Sequence, residues 1–293
     1  MKVMKPTVLL LGHTGKMGLA LQDVLSVSYT VVGRNSRDFD AATDGDVARL
    51  LDGVKPAIVI NAVAFMGIDA CDAQPQKAFA VNALFPKALA AWSHRVGGTL
   101  VHLSTEAVFP DAVVGGSFVE SNPPRPINVY GFTKYGGDCF VSAGTPRHYI
   151  FRLPMLFGES LKPCQFVEKM AVRIMAGEPE VQVSTDCCTT PSYSRDVAVA
   201  VRDILVAEKP LGLYHLANAG QASLFELITE LVKILRRDVR VVPVSHTAFR
   251  CRGTKNLRPI LASEKGVRLR PWQEALRAYM EPVRKGARVL YGD

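Results

Sequence analysis

The chain has 293 residues, 48% hydrophobic and 21% charged, a balance that excludes a disordered chain and fits one large domain or two closely associated ones. No apolar run approaches the roughly 18 residues of a bilayer-spanning helix. The net charge of +8 is unevenly placed, with 14 Lys and Arg against 5 Asp and Glu between residues 236 and 293.

Those basic residues are scattered among apolar residues and prolines, a pattern that favours an anionic small molecule over nucleic acid. The cysteines at 71, 139, 164, 187, 188 and 251 show no Cys-x-x-Cys spacing and no partnering histidine pattern. Reduced thiols, no metal and a cytoplasmic location are expected. The opening Met1–Pro6 leads into a β-like segment without the pattern of a signal peptide.

Thr7–Leu11 is a short apolar run suited to a strand buried on both faces. It feeds Gly12-His13-Thr14-Gly15-Lys16-Met17-Gly18, after which Leu19, Leu21 and Leu25 continue as helix. Strand, spaced glycines and helix together predict a pyrophosphate-binding turn, the helix N-terminus offering its N–H groups. His13 is expected beside the cofactor. A second strand, Tyr29–Val32, ends at Gly33-Arg34, with Arg37 close behind. An acidic residue at this point would bind a ribose 2′-hydroxyl; a guanidinium suits a 2′-phosphate instead, hence NADP(H), with NAD(H) the second choice.

Residues 43–54 read as helix, and Ala57–Asn61 as the next buried strand, running into Ala62-Val63-Ala64-Phe65. A helix over 76–95, interrupted by Pro86, precedes the strand Thr99–Leu103, which ends in Ser104-Thr105-Glu106. This alternation predicts a Rossmann-type, doubly wound parallel sheet, whose ligands sit at the carboxyl ends of the strands. After a proline-rich loop, Tyr130-Gly131-Phe132-Thr133-Lys134 opens a helix with phenol and ammonium on one face. The pair suits proton transfer to a carbonyl oxygen, with Lys134 expected to depress the phenol pKa. Ser104, Thr105, Tyr130 and Lys134 are expected to converge.

Beyond Arg152 the alternation lapses: a helix over 167–175, an extended Val181–Val183, a helix over 196–206, a strand over 213–216 and a helix over 224–235. The last 55 or so residues read as short helices among arginines and prolines. The expected division is a dinucleotide-binding domain from residues 1–153 and 185–217, and a smaller substrate-binding lobe from 154–184 and 218–293. Cys187 and Cys188 read as packing residues in a short connection near the cleft.

Taken together, the motifs resemble the extended short-chain dehydrogenase/reductases, and within them the dTDP-4-dehydrorhamnose reductases. The resemblance rests on Gly12-x-x-Gly15-x-x-Gly18, Asp40, Pro56–Ala62, Phe79–Ala83, Ser104–Phe109, Asn128–Lys134, Arg152–Gly158, Thr190-Pro191, Asp196–Ala198, Arg258-Pro259 and Leu269–Leu276. It implies NADPH-dependent reduction of the 4-keto group of a nucleotide-diphosphate sugar by a monomer or homodimer, with no membrane partner. It adds Asp40, Ala62, Val63, Ala64 and Asn82, beside Tyr130 and Lys134, to the cofactor contacts, and Ser104, Glu106, Met155 and Arg258 to the substrate contacts. Two departures bear on the sugar: Ala107 and Met155 stand where those reductases usually carry Tyr and Trp. The competing reading is a non-catalytic NADP-binding regulatory subunit resembling the β subunit of methionine adenosyltransferase. An epimerase or dehydratase is disfavoured, because Ala107 follows Glu106 where a dehydratase favours a second acid.

Overall fold

Apolar runs with no polar face form strands only where helices cover both sides of the sheet. A computed structural model describes residues 5–163, 165–287 and 290; the Met1–Met4 lead-in, Cys164 and the final three residues lie outside this description. The chain begins β1 (Thr7–Leu11), α1 (Lys16–Leu25), β2 (Thr30–Arg34), α2 (Asp44–Val54) and β3 (Ile58–Asn61). There follow α3 (Ile68–Ala73), α4 (Pro75–Phe79), α5 (Phe85–Val96), β4 (Thr99–Thr105), α6 (Val129–Gly144) and β5 (His148–Leu153). The later part comprises β6 (Leu156–Phe157), α7 (Phe166–Met175), β7 (Glu180–Ser184), β8 (Cys188–Thr189), β9 (Ser192–Tyr193), α8 (Ser194–Val206) and β10 (Gly212–His215). It closes with β11 (Ala222–Ser223), α9 (Leu224–Leu235), β12 (Arg240–Val244) and α10 (Trp272–Arg284).

Six strands pair in the order β10-β5-β4-β3-β1-β2, all parallel. Leu21 and Leu25 of α1 and Val197, Val201 and Ile204 of α8 fill one face, against Val8, Leu10 and Ile60. Val47 and Leu51 of α2 with Phe85 and Leu89 of α5 fill the other, against Leu9, Leu11 and Val59. The chain order reverses between β1 and β3, which opens the ligand crevice of such sheets above the carboxyl ends of these two strands.

A separate apolar core joins Val167, Met170 and Ile174 of α7, Val181 and Val183 of β7, Leu227, Ile228 and Leu231 of α9, and Leu276, Tyr279 and Met280 of α10. Its helix α9 begins on a capping box: Ser223 Oγ accepts from Glu226 N, and Glu226 Oε2 accepts from Ser223 N.

Three local expectations change. The helix over 76–95 continues through Pro86 by way of a π turn at Ala80–Leu84, where Phe85 N–H bonds the Ala80 carbonyl. Pro86 follows directly on that wider turn, in the first turn of α5, where a proline is tolerated. The terminal region holds a strand, β12, paired parallel with β7; its Pro243 hid the pattern, and a two-stranded edge tolerates it. It also holds α10, a helix of 13 residues rather than a short one. The described cysteines are free thiols, Cys187 buried and Cys188 in β8.

Candidate active site

The turn after β1 is fixed by close backbone contacts. Gly12 has φ +84° and its N–H bonds the Arg34 carbonyl at 2.7 Å; a Cβ there would stand 2.8 Å from the Ala62 carbonyl. At Gly18 a Cβ would come within 2.2 Å of the Gly12 carbonyl, so α1 can lie on the turn only with glycine at this position. No side chain caps α1, leaving its first-turn N–H groups to bind an anion. Ala62, Val63 and Ala64 form the half-buried segment facing this turn, with Ala62 N on the Leu11 carbonyl at 2.9 Å. The cradle fits a dinucleotide pyrophosphate.

Not every residue predicted here offers its side chain to a cofactor. Met17 is buried in the sheet core, and Lys16 turns away to Glu168 at 2.7 Å and the Leu156 carbonyl at 3.1 Å. Thr14 contributes its carbonyl to Leu161 N at 3.0 Å. Gly15 is the N-cap of α1. The His13 ring lies over Gly33, where a Cβ would meet its Cγ at 2.7 Å. Arg34 sits at the end of β2, its Nη1 on the Gly33 carbonyl at 2.8 Å. Asp40 is exposed and turns the chain into α2, accepting from Ala42 N at 2.9 Å and Thr43 Oγ1 at 3.3 Å. Asn82 is wholly buried and fully engaged: Oδ1 accepts from Phe65 N, and Nδ2 donates to the Phe65 carbonyl and Thr133 Oγ1. It fixes the segment after β3 to α6 rather than facing the cofactor.

The hydroxyl, phenol and ammonium do come together. Asn128 caps α6 by accepting from Gly131 N at 2.8 Å, and its Nδ2 reaches the Thr254 carbonyl at 3.0 Å and Asn256 Oδ1 at 2.8 Å. Gly131 lets α6 press on the end of β4, since a Cβ there would stand 2.1 Å from the Ala107 carbonyl. Tyr130 thereby meets Thr105. Burial pushes the phenol up to about 12, the adjoining Thr105 hydroxyl opposing the rise and Cys71 and Glu106 adding to it. Lys134 runs beneath, 2% exposed, with Nζ on the Leu103 carbonyl at 2.7 Å; burial pushes it down to about 8 against the pull of Asp138. The result is a phenol that keeps its proton across the neutral range, as a donor to an alkoxide must.

On the open side, Glu106 begins a 3₁₀ turn and accepts from Thr189 Oγ1 at 3.3 Å. Burial pushes its carboxyl up to about 8, with Thr189 and the Met155 amide opposing. Arg258 lies beyond β8, close enough to Cys188 to oppose the rise that burial imposes on that thiol. Its backbone is clamped by Asp111, which accepts from Arg258 N at 2.9 Å. Tyr130, Glu106, β8 and Arg258 thus form a trail from the phenol to the basic terminal segment. The side chains of two predicted substrate contacts turn away from this trail, although the Met155 amide stays on Glu106. Ser104 is 7% exposed, its hydroxyl turned toward Asp138 under the sheet end, as strand alternation requires of the neighbour of Thr105. Met155 packs against the second core, half-buried.

Sequence reasoning missed Cys71 beside the phenol, and Asp138 and Arg152 beneath it. The signal for Asp138 was present: an acid four residues after Lys134, on the same inward face of α6. Among the described residues no group of three or more His, Cys, Asp or Glu is placed to hold a metal ion, and no helix is long and apolar enough to cross a membrane.

Residues 4–285 match the family described as RmlD substrate binding domain. A dTDP-4-dehydrorhamnose reductase of Streptomyces griseus is 32% identical over 255 residues, 84% of this chain and 82% of that protein. The spore coat polysaccharide biosynthesis protein SpsK of Bacillus subtilis is 29% identical, over 94% of this chain and 96% of its own length. The crystal structure of a Bacillus anthracis dTDP-4-dehydrorhamnose reductase in complex with NADP superposes with a TM-score of 0.88 at 27% identity, covering 94% of this chain and 99% of that one.

Proposed function

The chain belongs to the RmlD substrate binding domain family, and from that premise we propose that it is an NADPH-dependent reductase of a nucleotide-diphosphate keto-sugar, converting a 4-keto group to an alcohol. The observation that carries this reading is the meeting of Thr105, Tyr130 and Lys134 at the carboxyl end of β4, beside the glycine turn. Bound NADPH supplies the hydride. Tyr130 protonates the alkoxide that develops at the reduced carbon, and a phenol held neutral to about pH 12 has that proton at every working pH. Thr105 hydrogen-bonds the same oxygen and stabilises its charge before the proton arrives. Lys134, fixed on the Leu103 carbonyl, would hold the nicotinamide ribose.

The glycine turn and the first turn of α1 hold the pyrophosphate, and Arg34 takes the 2′-phosphate. Glu106 borders the sugar, its carboxyl neutral up to about pH 8 and so able to donate to a sugar oxygen. Arg258 takes the substrate diphosphate. The dinucleotide domain of residues 1–153 and 185–217, and the substrate lobe of 154–184 and 218–293, meet around this cleft in a cytoplasmic monomer or homodimer.

The test is NADPH oxidation followed at 340 nm with a panel of nucleotide-linked 4-keto-sugars. Turnover of at least one substrate, dependent on NADPH, is expected. Tight NADPH binding with no turnover across the panel would contradict the reading and favour the regulatory-subunit alternative.

A further inference from the structure

Beneath Lys134 lies a buried cluster of charged and polar groups. Asp138, His102 and Arg152 are 3%, 0% and 4% exposed. Arg152 Nε donates to Asp138 Oδ2 at 3.1 Å, and the guanidinium is covered by the Phe109 ring at 5.1 Å. The tautomer of His102 follows from its neighbours. Asn61 Oδ1 accepts from Val63 N, so Asn61 Nδ2 is the donor to His102 Nδ1, at 3.2 Å. Neutral His102 therefore carries its proton on Nε2, facing Asp138 Oδ1 at 3.7 Å, beyond direct hydrogen-bond length. Ser104 Oγ adjoins the same carboxylate without a well-formed bond. Among the described residues, His102 Nε2, Ser104 Oγ, Asp138 Oδ1 and Arg152 Nη1 are all buried and unpartnered within the protein.

Charge balance makes this cluster more than packing. Two cations, Lys134 and Arg152, are buried around one carboxylate, and burial holds His102 in its neutral form. Asp138 stands four residues beyond Lys134 on α6, one helical turn away. We propose that Asp138 is a positioning residue for Lys134: clamped by Arg152 and faced by His102 and Ser104, it supplies from one turn away the negative charge that balances the buried ammonium. The inference rests on the proposed role of Lys134, but the coupling itself is measurable without turnover. The titratable groups coupled to Lys134 are Asp138 on its own helix and His102 on β4, while Arg152 on β5 faces Asp138. Glu106 and Cys71 act on Tyr130 rather than on Lys134.

The test is a pH titration of the full chain carrying ¹³C-labelled lysine, following the Lys134 ε-carbon by NMR, with Lys134→Met identifying the resonance. Asp138→Asn is expected to move the Lys134 midpoint to lower pH by about one to two units, the effect of removing one charge at a helical-turn distance under an effective dielectric of about 20. Asp138→Glu is expected to keep the midpoint near the wild-type value. The same coupling read from the other side is a rise in the Asp138 carboxyl midpoint in Lys134→Met, because coupling between two sites is reciprocal; this arm decides the matter if Asp138→Asn does not fold. An unmoved Lys134 midpoint in folded Asp138→Asn, or an unmoved Asp138 midpoint in Lys134→Met, overturns the proposal. With a substrate in hand, the alkaline limb of the kcat profile is expected to move to lower pH in Asp138→Asn. Turnover with an unmoved limb contradicts the positioning role, whereas absence of wild-type turnover contradicts the reductase reading instead.

Discussion

Truncating Glu168 probes how the glycine turn is fixed to the rest of the molecule. Its carboxylate and the Lys16 ammonium are 4% and 7% exposed and 2.7 Å apart, and its other oxygen accepts from Gly158 N at 2.9 Å. Glu168→Ala removes one partner of a buried ammonium and the acceptor of a buried amide. Removing one partner of a buried pair costs about 3–5 kcal/mol. For 293 residues, an unfolding entropy of about 2.1 cal/mol/K per residue gives about 0.6 kcal/mol/K, so Tm should fall by about 5–8 °C. The double variant Lys16→Met/Glu168→Leu buries apolar groups in place of the ion pair and should recover part of the loss, the part left over being the Gly158 amide that still lacks its acceptor. Urea and thermal unfolding followed by circular dichroism measure both. A loss below about 1 kcal/mol, the level of a solvated surface pair, would refute the reasoning, as would a double variant no more stable than the single one.

Arg34→Ala should weaken NADPH by about 1.5–3 kcal/mol, or roughly 10- to 150-fold, the range for hydrogen bonds to charged groups, and barely change NADH; calorimetry showing equal losses for both cofactors would remove Arg34 from the 2′-phosphate. Glu106 has a folded-state pKa raised to about 8, so its contribution to stability is complete below the ordinary carboxylate range and is lost as pH rises toward 8. Glu106→Gln should therefore flatten the decline in urea midpoint between about pH 5 and 8 and be the more stable protein at pH 8, whereas a pH-independent difference would contradict the burial of that carboxyl.

The sheet was legible because its strands are apolar on both faces and its turns are marked by glycines: Thr7–Leu11 and Ile58–Asn61 fall where the composition puts them. The second core was harder to read, since β12 carries a proline and its partner β7 lies about sixty residues earlier in the chain. Of the candidate site, Thr105, Tyr130 and Lys134 were legible from helix spacing and strand position, and the structure brings them together. Spacing could not show that the Lys134 ammonium ends on a strand carbonyl, that Lys16 pairs with Glu168 across 152 residues, or that Ser104 turns inward while Thr105 turns out. Each depends on a partner supplied by another element, and a local pattern carries no record of that partner.

The central claim is that Tyr130 is the proton donor of a keto-sugar reduction. Tyr130→Phe keeps the ring and its packing and deletes only the hydroxyl, and general acid catalysis is worth about 10²–10⁴-fold. In Tyr130→Phe, kcat with NADPH and the best keto-sugar of the panel is expected to fall by that factor, with the NADPH dissociation constant changed less than about twofold. Undiminished turnover in Tyr130→Phe, with cofactor affinity intact, would contradict it.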